Sequence, residues 1–278
     1  MHCEHINNSY YEKVEENGKE TIRDITAEIP FDIPESWTWT RLGNVGEYKK
    51  GPFGSSITKS MFVKDDGKSF KVYEQKNAIY KNETLGNYFI SKEKYDQLKS
   101  FKVKANDIIV SCAGTIGETY VLPCNTREGI INQALMRIRL YLIEITDFYL
   151  LYFDYVLKKV AKNDGKGTAI KNIPPLSLLK ESLIPIPPLN EQVNIIERIN
   201  KFLLKISSIN NNCSFLWDKI TQTKSKLLDL AIRGKLLPQN PNDEPASALL
   251  ERIREEQEST KTKRKSIGSY IFKGGDNL

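Results

Sequence analysis

Three short stretches of the chain carry lysine, amide and hydroxyl side chains on loops punctuated by glycine. Lysine reaches phosphate or guanine, Asn and Gln can pair with adenine, and Ser and Thr reach phosphates or base edges. The candidates for DNA contact are Lys49, Lys50, Phe53, Ser55, Ser56 and Lys59, then Lys71, Tyr73, Gln75, Lys76 and Asn77, and finally Lys162, Lys166, Thr168 and Lys171. Each stretch alone is also typical of a solvated loop, but together they favour DNA binding.

Catalytic chemistry is scarce by comparison. The sequence has neither a phosphate-binding GxxxxGK[ST] loop nor a glycine-rich dinucleotide motif. Two Asp-Gly-Lys triplets, residues 66–68 and 164–166, resemble the acid-x-Lys half of a metal-dependent nuclease site, but Asp-Gly is also a common turn dipeptide. A catalytic triad would need His2 or His5. His2, Cys3 and His5 could bind a metal in principle, but they stand at a terminus that is expected to fray. We therefore expect no catalytic residue and no metal in this chain.

The cysteine pattern and the apolar runs bear on the cellular compartment. Cys3, Cys112, Cys124 and Cys213 form no CxxC pair, which argues against both a zinc ribbon and a disulfide framework and favours reduced thiols. No stretch has the 18 or so apolar residues that span a bilayer, and the first residues lack the pattern of a signal peptide. The sequence predicts a cytoplasmic protein.

Charge is distributed unevenly along the 278 residues. The net charge is +6, but residues 1–35 carry 3 basic and 9 acidic groups, residues 36–188 carry 23 and 15, and residues 189–278 carry 15 and 11. A basic body favours partners that bear phosphate, although only weakly. Hydrophobic residues make up 40% of the chain, enough for a core, so a wholly disordered protein is excluded.

The pattern of apolar residues predicts an α+β fold in four parts. Residues 1–29 are polar and acidic and predict a flexible leader. Residues 30–188 alternate short β-branched runs with turn residues, which is typical of a β-rich domain. Within it, residues 107–112 and 119–122 flank a glycine turn and predict a hairpin, and residues 147–162 have helical periodicity.

The prolines after residue 184 end this domain, and a helical region, residues 189–258, follows. A helix from 190 to about 233 would be roughly 65 Å long, and its apolar residues recur at the three-to-four spacing of a coiled coil. The residues of this seam are Ile196, Ile199, Leu203, Ile206, Asn210, Cys213, Trp217, Ile220 and Leu227. The seam needs a second helix, from the same chain or from a partner.

Two further features of the C-terminal half admit two interpretations each. Asn210 either fixes the register and oligomeric state of a coiled coil or lies where the seam is already wet. A shorter helix is predicted from Pro245 to about Glu258. The basic tail, residues 259–278, is either a flexible tail or linker remnant, or a phosphate-binding arm.

Several motifs, in their order along the chain, resemble the target recognition domain and central conserved region of a specificity subunit of type I restriction-modification systems. These are residues 33–42, 107–117, Asn132-Gln133-Ala134-Leu135, 167–170, 184–192, 226–236 and 238–247. The resemblance covers residues 30 to about 258. One departure is that family members usually carry two recognition domains and two long helices, whereas this chain has one of each.

The resemblance implies that the β-rich domain recognises one half of a bipartite site in double-stranded DNA. It also implies that the helices dock methyltransferase subunits and a restriction and motor subunit. S-adenosylmethionine, ATP and Mg²⁺ would then be bound by those partners, and no cofactor by this chain. As a half subunit it would pair with a second copy, the two seams packing antiparallel in a homodimer. The alternative is a coiled-coil scaffold protein whose basic domain has no sequence-specific role on DNA.

Overall fold

The computed structural model describes residues 3–6, 9–16, 19–113, 115–163, 173–210, 217–260 and 268–273. It confirms the α+β class. The strands are β1 (Cys3–Ile6), β2 (Ser9–Glu16), β3 (Lys19–Asp24), β4 (Thr38–Arg41), β5 (Gly46–Lys50), β6 (Phe70–Tyr73), β7 (Phe89–Ile90), β8 (Lys102–Val103), β9 (Ile108–Ser111), β10 (Thr119–Val121), β11 (Gly129–Ile131), β12 (Leu135–Leu140), β13 (Leu183–Ile186) and β14 (Gly268–Lys273). The α-helices are α1 (Leu42–Val45), α2 (Gln75–Ile79), α3 (Lys92–Gln97), α4 (Thr146–Asn163), α5 (Leu176–Glu181), α6 (Leu189–Asn210), α7 (Trp217–Ile232) and α8 (Ala246–Thr260).

The chain forms two compact units. The first, here the helical unit, comprises residues 1–45, 144–152 and 181–278, and the second, here the β unit, comprises residues 46–143 and 153–180. The predicted domain of residues 30–188 is therefore divided between the two units. The sequence did not show this division, because two of the points at which the chain passes between units, residues 152–153 and 180–181, lie within helices α4 and α5.

The β unit contains two four-stranded sheets. One has the order β10-β9-β12-β5 and is antiparallel throughout, and it includes the hairpin predicted from the glycine turn, in which Val110 pairs with Thr119. The other has the order β7-β6-β11-β8, with β6 and β11 parallel. Successive residues of a strand face opposite sides, so Tyr73 and Ile131 pack towards Ile109 of the first sheet, while Val72 belongs to a separate cluster.

The helical unit contains a six-stranded sheet of order β13-β4-β14-β1-β2-β3. Strands β1 to β3 lie within residues 1–29, and β14 lies within the tail, where it pairs with β2 and β4. The predictions of a flexible leader and a flexible tail are therefore wrong for these strands. The two ends of the chain supply hydrogen-bond partners to each other, and pairing between segments so far apart in sequence leaves no local signal.

A buried ion pair uses acidic side chains of the leader. Arg41 on β4 donates to both carboxylate oxygens of Glu12 on β2, at 2.9 and 2.6 Å, and the two side chains are 5% and 2% exposed. Arg41 also donates to the carboxylate of Glu28 at 2.8 Å and to the backbone oxygen of Glu181. A charge that leaves water must be paired and hydrogen-bonded, so Glu12 fixes the leader onto the sheet.

The region predicted as one helix from 190 to about 233 contains two helices, α6 and α7, which contact each other. Ile199 of α6 and Ala231 of α7 belong to one buried cluster with Trp37, whereas a continuous helix would separate residues 199 and 231 by about 48 Å. The same chain therefore supplies the second helix that the seam requires. The apolar spacing predicted the surface to be covered, but it could not identify what covers it.

Two further helices agree with the sequence. Helix α4 corresponds to the predicted helix of residues 147–162, and α8 corresponds to the predicted helix from Pro245. On α8 the side chains of Leu249, Leu250 and Ile253 are buried. Within the described ranges, no helix is both long and apolar enough to cross a membrane.

The ion pair of Glu12 predicts a large change in stability. In Glu12→Ala, Arg41 remains buried without its bidentate partner, so the free energy of unfolding should fall by about 3 kcal/mol in urea denaturation. Asp96→Ala is the matched control, because it breaks an exposed ion pair with Lys92 and should cost less than about 0.5 kcal/mol. Equal losses in the two variants would contradict this assignment.

Candidate nucleic-acid interface

Loops from different parts of the sequence meet at one edge of the β unit. The backbone N–H of Gly51 donates to Leu135 O at 2.9 Å, and that of Cys112 donates to Ala134 O at 2.8 Å. The N–H of Asn132 donates to Tyr73 O at 2.9 Å. Residues 132–135 therefore join the ends of β5, β6 and β9. We call the surface formed by residues 50–56, 74–81, 112–113, 115–118 and 132–134 the loop edge.

Side chains add further links within the loop edge. Lys81 donates to the carboxylate of Glu118 at 2.7 Å and to Thr119 O at 2.5 Å, which ties the segment after α2 to the start of β10. Burial raises the pKa of the Cys112 thiol to about 11, and the nearby charge of Lys50 opposes that rise by a smaller amount. Cys112 is therefore a neutral thiol beside an exposed lysine.

Glycine is required where the first loop leaves β5. A Cβ atom on Gly51 would lie 1.8 Å from the backbone oxygen of Asn132, so no other residue fits without a backbone shift. A Cβ atom on Gly54, three residues later, would have no atom within 4 Å. The loop is thus pressed against residues 132–133 at its base and open at its tip.

The first predicted stretch is largely available to a ligand. Lys50, Phe53, Ser55 and Lys59 are exposed and Ser56 is half-buried. Lys49 is half-buried, with its ammonium 4.8 Å from the centre of the Phe101 ring, which the sequence did not indicate. Within the described part of the chain no carboxylate pairs with Lys50 or Lys59. These two lysines can therefore neutralise phosphates without breaking an existing ion pair.

The second predicted stretch has a different role. Lys71 is only 4% exposed, and its ammonium donates to Thr84 O and Gly86 O, both at 3.1 Å. The rings of Tyr73 and Phe89 flank it, each with its centre 5.7 Å away, and burial lowers the pKa of Lys71. The prediction that Lys71 contacts DNA is wrong, because its ammonium is buried and already donates to carbonyl oxygens of the loop of residues 82–86.

Asn77 and Tyr73 are likewise part of the scaffold, and both side chains are completely buried. The Asn77 amide donates to Asn82 O at 2.9 Å and to Leu85 O at 2.8 Å, while its oxygen accepts the N–H of Glu74. The Tyr73 hydroxyl donates to Arg127 O at 2.7 Å. The predicted DNA contacts of Tyr73 and Asn77 are therefore also wrong.

Two residues of the second stretch remain at the surface. Gln75 and Lys76 are half-buried, and the ammonium of Lys76 lies 2.9 Å from the carboxylate of Glu74. The sequence missed Thr115 and Gln133, which are exposed on the loop edge. Gln133 belongs to the motif Asn132-Gln133-Ala134-Leu135, so the sequence does carry a signal for this position.

The third stretch and one of the suspected acids fall outside the described side chains. Lys162 lies in α4, but its side chain is not described, and Lys166, Thr168, Lys171 and Asp164 lie outside the described residues. The other suspected acid, Asp66, accepts the N–H groups of Lys68 and Ser69 at 2.9 and 2.8 Å. That geometry confirms the interpretation of residues 66–68 as a turn.

No group of three His, Cys, Asp or Glu side chains in the described part of the chain is placed to hold a metal ion. Of the terminal cluster, His2 lies outside the described residues, and the side chains of Cys3 and His5 on β1 are not described.

Most of the helical seam is accounted for within the helical unit. Ile199 and Ile220 are buried, and Ile196, Leu203, Ile206 and Leu227 are half-buried. Asn210 and Trp217 lie in α6 and α7, but their side chains are not described, and Cys213 lies outside the described residues. The two interpretations of Asn210 are therefore not distinguished.

A buried carboxylate joins three motifs of the helical unit. Glu191 on α6 accepts the indole N–H of Trp37 at 2.9 Å and the amide of Gln239 at 2.7 Å. The oxygen of that same amide accepts the hydroxyl of Ser36 at 2.7 Å. Burial raises the pKa of Glu191. This cluster anchors α6 and the segment after α7 to the segment that enters β4.

Comparison with known proteins identifies the chain. Residues 34–213, well over half of its length, match the family model of the type I restriction modification DNA specificity domain. The chain belongs to this family. The resemblance carried by the sequence motifs is thereby confirmed.

Two curated relatives come from Escherichia coli. The type I restriction enzyme EcoBI specificity subunit is 28% identical over 268 residues, which cover 89% of this chain and 55% of the relative. The EcoAI specificity subunit is 26% identical, with 83% of this chain and 46% of the relative covered. The chain thus spans about half the length of these relatives. A solved HsdS subunit from Thermoanaerobacter tengcongensis is 20% identical with a TM-score of 0.44, covering 74% of this chain and 47% of that one.

The two glycines of the first loop predict opposite responses to the same substitution. Gly51→Ala should lower the free energy of unfolding by about 2 kcal/mol or more, because its Cβ meets the backbone of Asn132. Gly54→Ala should change it by less than about 0.5 kcal/mol, because its Cβ meets nothing. Thermal and urea unfolding measure both. A stable Gly51→Ala protein would refute the close approach.

Proposed function

We propose that this chain is a DNA-recognition subunit of a type I restriction-modification enzyme and that its loop edge recognises one half of a bipartite DNA site. The observation that carries the proposal is the meeting of separate motif segments at one edge. Family membership supports DNA as the ligand. The exposed side chains at this edge suit recognition of phosphates and base edges.

Different surface residues of the β unit have different roles in this proposal. Lys50 and Lys59 neutralise phosphates, since neither is paired with a carboxylate in the described part of the chain. Gln75 and Gln133 carry amides able to pair with adenine, and Ser55 carries a hydroxyl able to reach a phosphate or a base edge. Residues 46–143 hold 16 basic and 10 acidic side chains, a net charge of +6 that assists association with DNA.

The partners follow from the same proposal. The helical unit docks methyltransferase subunits and a restriction and motor subunit. Those partners bind S-adenosylmethionine, ATP and Mg²⁺. A second copy of this chain, or a second repeat of the same kind, recognises the other half-site, because one copy spans about half of the relatives. Since α6 and α7 already cover each other, pairing of two copies must use other surfaces or an opened α6–α7 pair.

The alternative of a coiled-coil scaffold without a role on DNA is not favoured. The family match extends over the whole loop edge as well as over α6. A scaffold function would also leave the exposed lysines and amides of the loop edge without a purpose.

Methylation mapping tests the proposed function directly. Co-expression of the chain with its methyltransferase partner in an unmethylated host should produce methylated adenines in one bipartite sequence, found genome-wide by single-molecule sequencing. Two identical copies would give a symmetric target, because each would recognise the same half-site. The Lys50→Gln/Lys59→Gln chain serves as control and should methylate fewer sites. Absence of new methylation with a soluble, assembled complex would refute the proposal.

The salt dependence of binding tests the two phosphate contacts. For the complex on its target duplex, Lys50→Gln and Lys59→Gln should each reduce the magnitude of the slope of log K against log salt by about 0.9. Lys92→Gln is the matched control, because this exposed lysine stands beside Phe70, at the opposite end of β6 from the loop edge. Fluorescence anisotropy over a range of salt concentrations provides the slopes. Unchanged slopes in the first two variants would remove these lysines from the interface.

A further inference from the structure

Phe53 is the most exposed of the large hydrophobic side chains described in the β unit. Its side chain is 87% exposed, more than any other large hydrophobic side chain in the described residues, the next being Ile22 and Leu204 at 72%. Holding an aromatic ring in water forgoes the stabilisation of about 1.5–3 kcal/mol that burial would provide. Among the described residues the ring is left largely uncovered, so it is available to a ligand.

The ring does not stand on a loose loop. On one side, the preceding Pro52 is buried and the N–H of Gly51 is bonded to Leu135 O. On the other side, Ser56 N donates to Phe53 O at 2.8 Å and closes a tight turn, and Ile57 is buried in the cluster of Val72 and Ile130. The backbone of Phe53 is thus fixed before any ligand arrives, and little entropy is lost on binding.

The chemistry around the ring matches a nucleic-acid strand. Lys50 and Lys59, which have no carboxylate partner in the described part of the chain, flank the loop on both sides of Phe53 in the sequence. A strand of DNA presents flat apolar bases between phosphates, whereas an apolar protein groove would not need the cations. The next residue, Gly54, has no atom within 4 Å of the position of a Cβ atom, so the backbone beside the ring is open to a ligand.

We propose that Phe53 is an aromatic wedge that enters the base stack of the DNA at one step of the recognised half-site. Apolar side chains inserted in this way unstack a base step and kink the duplex, and an aromatic ring then stacks on the exposed base. The exposure of the ring and the open space beside it at Gly54 favour insertion over a contact across the floor of the groove. This inference rests on the proposed function and assigns to one residue a part in sequence recognition through DNA deformability.

The test uses the chain assembled with its methyltransferase partner and duplexes of the mapped target. Adenines of the target are replaced one at a time by 2-aminopurine, whose fluorescence rises when its stacking is lost. The methylated adenine is left unmodified, because methyltransferases extrude their target base themselves. The wild-type complex should raise the fluorescence severalfold at one step. Phe53→Ala should abolish that rise at saturating protein and weaken binding by roughly 5- to 100-fold.

Two matched variants separate the wedge from other roles. Phe53→Trp should retain the rise, because it keeps a flat aromatic ring. Lys59→Gln should weaken binding but keep the rise at saturation, because it removes only a phosphate contact. Thermal unfolding should be unchanged in Phe53→Ala, since the side chain is exposed.

Three results would overturn the inference. The first is specific binding by the wild-type complex without a rise at any substituted step. The second is a Phe53→Ala complex that retains the rise. The third is a Phe53→Ala chain that no longer assembles with the methyltransferase, which would make Phe53 a protein-docking residue. Each of these leaves specific methylation by the wild type intact, whereas failure of the proposed function removes it.

Discussion

Backbone polar groups outside the strands must find hydrogen-bond partners, and this constraint determines how the loop edge is built. Residues 132–135 meet it by binding the backbone of Gly51, Cys112 and Tyr73, so three strand ends are held at one place. In the loop of residues 82–86, four backbone carbonyl oxygens accept hydrogen bonds from the side chains of Lys71 and Asn77. Exposed side chains can therefore be presented on irregular backbone that is nevertheless fixed.

The same constraint limits what the sequence could predict about the site. Lys50 and Lys71 belong to similar polar stretches, yet one is exposed and the other serves buried carbonyl groups. Composition identifies a lysine that can bind phosphate but not one whose charge is already used. Exposure depends on the register of β6, which places Lys71 and Tyr73 on the face opposite Val72. The motif that contains Gln133 lies on the loop edge with that side chain exposed, whereas the lysine count also included the buried Lys71.

The fold was predictable where the physical signal is local. The β9–β10 hairpin, α4 and α8 follow from turn residues and helical periodicity. The strands of the leader and tail do not, because their polar residues show no apolar alternation and because β14 pairs with β1, β2 and β4 near the other end of the chain. Glu12 illustrates the point, since its role is set by Arg41, 29 positions away. The helical seam was only partly predictable, because its apolar spacing indicated a partner helix but did not identify α7 as that helix.

The residues that support the loops of the β unit differ from the residues that its surface exposes. Gly51, Lys71 and Asn77 support the loops, and substituting any of them alters the fold itself. Phe53 and Gln133 are exposed, so the stability of the β unit depends little on their identity. Under the proposed function, DNA specificity can therefore vary at the exposed positions while the scaffold stays constant. Stability then depends on the buried residues of these short segments, and specificity depends on their exposed residues.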